Sequence, residues 1–172
     1  MDGMTPNVLT PDQQTLLAAW QRHTEAEFVL KDADAALATM TEHPYLLMVA
    51  TGTACIGRAA VYEYYANHFL PAIPPDLELQ SLSQTIGGDR LVEEMVVRFT
   101  HTIEMDWLLP MLRPTGRRAE FIIAAVIGFE DGNVAYEHLY WDQATLLSQM
   151  GVLDHPLAAG GTGSVRQLSR LR

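Results

Sequence analysis

With 172 residues, 48% of them apolar, the chain fits one domain with a substantial core and is not a disordered segment. A formal net charge of -10 argues against the basic face that phosphate binding needs, so no nucleic-acid partner is expected. The one cysteine, Cys55, excludes an intrachain disulfide, and the longest apolar run, 122–129, is far too short to span a bilayer.

The N-terminal Met-Asp-Gly-Met-Thr-Pro has no basic stretch followed by an apolar run, so no secretory signal and a cytoplasmic location are expected. Thr10-Pro11-Asp12-Gln13 then reads as a helix start: Thr10 caps, Pro11 fits the first helical position, and Gln13 completes a capping box. Leu16, Leu17, Trp20, His23 and Glu27 recur at helical spacing, which carries this helix to about residue 30. Asp32 is a second cap, opening a short helix from Ala33 to Met40. Tyr45 to Ala50 has the length and composition of a strand, and Thr51-Gly52-Thr53 turns it into 54–56. Cys55, between Ala54 and Ile56, is expected to be a small buried hydrophobe. A third, aromatic-rich helix runs from Arg58 to Leu70 and stops at Pro71.

From Leu77 the pattern becomes extended. One strand leads to the turn Gly87-Gly88-Asp89-Arg90, and Leu91 to Asp106 then alternates, weakly at Glu93 and Val96 and cleanly from Val97. One face carries Leu91, Glu93, Met95, Val97, Phe99 and His101. A loop containing Trp107 precedes a hairpin formed by 119–129, the turn Glu130-Asp131-Gly132-Asn133 and a final strand ending at Trp141. Asp142 caps a terminal helix. Gly160-Gly-Thr-Gly163 reads as flexible punctuation in the tail and is not followed by a clear helical pattern. The arrangement is α+β: a curved antiparallel sheet with helices segregated to one face. It forms a single domain over 1–172, with a core at about 12–154 and a tail at 155–172 that is flexible or makes dimer contacts.

This order of elements, with Pro114-Thr-Gly-Arg117 before one strand and Glu137-His138 on the next, resembles the nuclear transport factor 2-like superfamily. Within it, residues 12 to about 154 are most similar to the SnoaL-like relatives of polyketide cyclases. The resemblance implies a cone of helices closed by a curved sheet, a pocket inside the cone, and homodimers formed through the sheet's outer face. For activity it implies a cofactor-independent cyclase, isomerase or hydrolase, in the manner of polyketide cyclases, ketosteroid isomerase or limonene epoxide hydrolase. Such an enzyme works on a small hydrophobic carbonyl compound with one acid or base in an apolar cavity. The alternative is a non-catalytic ligand-binding or dimerisation module of the same fold.

Aligned without gaps to that pattern, Leu139 stands where the related hydrolases and cyclases carry a catalytic Asp, and the strand at 46–49 is entirely apolar. Both features favour the non-catalytic alternative. Period two puts Glu137, Leu139 and Trp141 on one face. If that face lines the cone, Glu137 is a candidate general base; otherwise it pairs with Arg98 or Arg118. His101 is the candidate proton donor or orienter, against the plainer reading of a hydrogen-bonded core histidine. His138, on the opposite register, reads as structural. Leu139, Trp141, Trp107, Phe99, Trp20 and Tyr65 are the expected ligand-contacting side chains, although the two helix residues among them, like His23, are core first by their spacing. Glu104 and Asp106 read as solvated acids. No cofactor is expected, and no metal: His101-x-x-Glu104-x-Asp106 lacks a third ligand, and Glu137 and His138 point to opposite sides of a strand.

Overall fold

The computed structural model describes residues 9–153 and 163–170. Helix α1 spans Pro11–Glu25 and opens on the expected capping box, with Thr10 Oγ1 accepting from the Gln13 N–H and Gln13 Oε1 accepting from the Thr10 N–H. It runs on into a π-helical turn, Ala26–Leu30, where Lys31 ends it in a left-handed conformation. Asp32 caps α2, Ala33–Ala38, by accepting from the Ala35 N–H. Strands β1 (Met40–Met48) and β2 (Thr53–Ile56) follow, then α3 (Arg58–Glu63), which also continues as a π-helical turn, Tyr64–Phe69. Both π-helical turns, a conformation often found at functional sites, border the cavity described below.

The remaining elements are β3 (Glu78–Gly87), β4 (Arg90–Thr100), β5 (Arg118–Glu130), β6 (Asn133–Trp141), α4 (Gln143–Gln149) and α5 (Gly163–Arg170). The six strands form one curved sheet in the order β2-β1-β6-β5-β4-β3. The α+β cone is therefore as expected, with one difference: β1 runs parallel to β6, so the sheet is mixed. Chain-neighbouring strands joined by tight turns must be antiparallel. β1 reaches β6 only after the chain has passed through α3 and three further strands, so no hairpin sets their relative direction.

Strand β4 stops at Thr100, so His101 and the acids beyond it lie outside the strand expected to reach Asp106. The break has a local cause. His101 exchanges backbone bonds with the Pro114–Arg117 loop, its N–H donating to Arg117 O and its carbonyl accepting from the Gly116 N–H. β1 begins at Met40, five residues earlier than its apolar run suggested. A helix, α5, follows Gly163 where none was expected; residues 154–162, which include most of the Gly-rich stretch and part of the tail, fall outside the described residues, as do 171 and 172. Among the described residues no helix is long and apolar enough to cross a membrane.

At the β5–β6 turn both Asp131 and Gly132 have positive φ (51° and 77°), as a two-residue type I′ hairpin requires. A register shift at Gly128/Phe129 next to this turn puts Val134 rather than its odd-numbered neighbours into the core. Odd-numbered residues face inward only from Glu137 onward. Gly128 is obligatory for a different reason. A Cβ there would fall 2.0 Å from Tyr136 Cε1, inside a ring that packs against both Tyr45 and His138 on the outer face. Gly128→Ala is expected to lower stability by about 1–3 kcal/mol, read as a lower Tm, and Tyr136→Ala in the same chain should return much of the loss.

Candidate functional site

Between the concave face of the sheet and helices α1 and α3 lies a cavity of about 450 Å³. Leu46 and Met48 of β1, Val97 of β4, Ile123 and Ala125 of β5 and Leu139 of β6 give it an apolar floor. Aromatic rings from both helices and the 101–117 loop form the opposite wall. Two clusters built on buried carboxylates, one around Glu27 and Glu137 and one around Glu93, interrupt this apolar surface, and both arise from simple register rules.

The first group joins α1 to β6. His23 and Glu27 lie one helical turn apart on the stripe that also carries Trp20, and Glu137 faces them from the strand. His23 is fully buried, and Glu27 and Glu137 are each 5% exposed. Thr39 Oγ1 donates to Ala36 O (2.6 Å), so it accepts from His23 Nδ1, 2.5 Å away. The other ring nitrogen, Nε2, then points at the acids: 3.0 Å from Glu137 Oε1 and 3.4 Å from Glu27 Oε1. Tyr65 of α3 completes the group, its hydroxyl donating to the same Glu137 Oε1 at 3.0 Å.

Burial alone would lower the pKa of His23, but Glu27 and Glu137 outweigh it and push it up to about 10. His23 is therefore an imidazolium at neutral pH, hydrogen-bonded at both nitrogens. Glu27 is raised, first by burial and further by Glu137, with His23 opposing. Tyr65 is held well above the usual tyrosine range by burial and by the two acids, so its hydroxyl is a donor. Glu137 Oε1 takes the bonds from His23 and Tyr65. Among the described residues the only fully buried side-chain polar atom without a partner is His101 Nε2. The second Glu137 oxygen, which makes none of these bonds, is accordingly open to the cavity that Glu137 lines. One imidazole nitrogen and two carboxylate oxygens here lie within 4.8 Å of one another, a set that could hold a metal ion and that spacing along the chain does not reveal. Hydrogen bonds and the charge of His23 already join them.

The second group is Glu93, one register row away: β4 Glu93 pairs with β5 Ala125, which pairs with β6 Leu139. Its Oε2 accepts from Trp20 Nε1 (2.7 Å) and its Oε1 from Gln84 Nε2 (3.0 Å). The Trp20 ring also stacks on His23 with centroids 5.6 Å apart, so one indole touches both carboxylate groups.

Of the residues expected from sequence, Glu137, Leu139, Trp107, Trp20 and Tyr65 all line this cavity. The possible Glu137–arginine pair does not form, because Arg98 binds Glu120 at 2.6 Å instead. Trp107 is a wall and an anchor at once, packing edge-on against Phe69 and donating to Ala72 O. Phe99 and Trp141 pack in or against the core without lining the cavity, Trp141 being tied to Gln143 Oε1. His101 is not brought to Glu137. It is buried beneath the 114–117 loop, where its Nδ1 accepts from the Thr115 N–H, and desolvation lowers its pKa. Its place beside the acid is taken by His23. His138 stacks on Tyr136 on the outer face, Asp142 caps α4 and bonds Thr145, and Asp106 pairs with His68 at the surface. Cys55 is half-buried, and burial raises its thiol. His23, expected as core first, meets the cavity acids, and Glu27 and Glu93 are candidate site residues that the sequence did not single out.

Helices packed over a curved sheet around a mostly apolar, half-open cavity give the fold of the nuclear transport factor 2-like class. The profile of the SnoaL-like domain matches residues 15–137, and the chain belongs to that family. No curated protein sequence matches it. Among solved structures it is similar to a proposed SnoaL-like polyketide cyclase from Jannaschia sp. CCS1, with 16% identity over 86% of this chain and 99% of that one and a TM-score of 0.71. It is also similar to AclR, a proposed hydroxylase from Streptomyces galilaeus (18% identity, 92% and 95% covered, TM-score 0.64). A third relative is a proposed polyketide cyclase from Xanthomonas campestris pv. campestris (21% identity, 81% and 98% covered, TM-score 0.60).

Proposed function

We propose that this protein is a cofactor-independent acid–base enzyme, a cyclase or isomerase acting on a small hydrophobic carbonyl compound, with Glu137 as proton acceptor. The supporting observation is a carboxylate held by an imidazolium and a tyrosine hydroxyl at the wall of an otherwise apolar cavity. Glu137 removes a proton from a carbon next to the carbonyl. The C–H electron pair then forms a bond to a second carbonyl carbon, and the alkoxide produced takes back the proton that Glu137 holds. Return of that proton to a different carbon is instead an isomerisation. His23, behind the acids, is a positioning residue that fixes Glu137 and balances its charge. Leu139 faces the cavity as a leucine, so Glu137 does the work that the family pattern assigns to an acid two residues later.

The same leucine supports a second reading, a ligand-binding module without chemistry. The test is to incubate the protein and Glu137→Gln with polyketide-like and enone compounds while identifying any co-purified ligand by mass spectrometry. Product formed by the parent protein and lost in the variant supports the enzyme. A co-purified ligand that neither protein alters supports the binding module. The half-buried outer-face stack Tyr45–Tyr136–His138, with Tyr140 exposed beside it, suits the face of a homodimer, and a cytoplasmic location is part of the same reading.

A further inference from the structure

Glu93 is 7% exposed, yet no Lys, Arg or His pairs with it among the described residues; its partners are the neutral N–H groups of Trp20 and Gln84. Both its oxygens accept, and neither donor carries a charge. Buried charges are ordinarily matched by an opposite charge, because desolvating them costs several kcal/mol. The contrast with Glu137 is direct: Glu137 has His23 beside it. Trp20 lies between Glu93 and that same imidazolium, holding one with its N–H and the other against its ring face.

The rest of the wall points the same way. The lining contains four carboxylates (Glu25, Glu27, Glu93 and Glu137) and no Lys, Arg or His. It contains the faces and edges of Trp20, Phe28, Tyr64, Tyr65, Phe69 and Trp107, the ring types that attract cations. An anionic compound would meet repulsion from each of these carboxylates, whereas an organic cation would meet both an unmatched charge and aromatic rings. We propose that the cavity takes a hydrophobic compound carrying a protonated amine, and that Glu93 is the residue that selects it.

This rests on the cavity being the ligand site and adds the charge class of the ligand. It also divides the labour spatially. Glu93 lies two strands across and two residues along from Glu137, on the order of 12 Å between α-carbons from standard strand spacings. Recognition of the amine is thereby kept apart from proton transfer, and the imidazolium is not asked to serve both carboxylates.

Phenethylamine, phenethyl alcohol and phenylacetate test the proposal, each titrated against the whole protein with tryptophan fluorescence as readout, since Trp20 and Trp107 both line the cavity. The amine is expected to bind at least about tenfold more tightly than the alcohol, with the carboxylate weakest. Glu93→Gln should erase the preference for the amine. Gln84→Lys, at an exposed position beside Glu93, keeps the carboxylate and supplies a tethered ammonium, so amine binding should fall although the fold gains an ion pair. Equal or tighter binding of the alcohol, or an amine preference that survives both substitutions, overturns the proposal while leaving the cavity as the ligand site. If none of the three compounds binds at millimolar concentration, the proposal fails together with the ligand-site reading.

Discussion

Glu137→Gln is expected to lower turnover of a carbonyl substrate by about 100- to 10,000-fold, the usual worth of a positioned general base, while the protein remains folded. The amide keeps the volume of the carboxylate and still offers an oxygen to Tyr65, so the hydrogen bond that fixes the side chain survives. What it loses is the ability to accept a proton. His23 cannot substitute, because its Nδ1 is bonded to Thr39 and its Nε2 is directed at the acids rather than the cavity. Measuring kcat beside a thermal melt separates the two effects: a collapsed kcat with a cooperative melt is the expected pair. Unchanged kcat removes Glu137 from the chemistry and favours the binding module. Glu27→Gln is the informative comparison, since Glu27 also borders the cavity but sits farther from the imidazole, at 3.4 Å against 3.0 Å.

Much of this site could be read from strand periodicity alone. A period of two places Glu137 and Leu139 on one face, and pairing with Ile127 and Ala125 of β5 holds that face against the cavity. The Thr10 capping box and the Asp32 cap were equally legible, because each depends on residues three positions apart. What could not be read was which histidine meets the acid. His101 continues the apolar alternation of its strand, but alternation cannot show that the Pro114–Arg117 loop captures its backbone and that the strand ends at Thr100. His23 approaches Glu137 from 114 residues away in sequence, a contact set by how α1 crosses the sheet. A weak local sign of it existed: His23 and Glu27 occupy the same helical stripe as Trp20, two polar residues where the stripe should be apolar. Glu93 left a similar trace, as the position where the β4 alternation falters. In both places the break in pattern coincides with the site, as expected where function requires a polar group on a core-facing surface.

The stability of this protein should fall as pH rises from about 6.5 to about 10, the interval between the ordinary histidine pKa and that of His23 in the fold. Within it the folded chain holds a proton on His23 that the unfolded chain has released. The stabilisation is therefore complete below the lower value and is lost towards the upper one, on the order of 1 kcal/mol per pH unit. Glu27 acts with the same sign, because its raised carboxyl also binds its proton more tightly in the fold than out of it. Thermal melts across this range should show Tm declining with pH. His23→Leu removes the imidazolium and leaves two buried acids with no counter-charge, so it should cost about 3–5 kcal/mol at neutral pH and remove the His23 part of the pH slope. Replacing both acids by leucine in that variant takes away the uncompensated charges, and much of the lost stability should return. A Tm in the parent protein that stays flat from neutral pH to about 10 would mean that His23 is neutral and that the acids are balanced by their own protons instead.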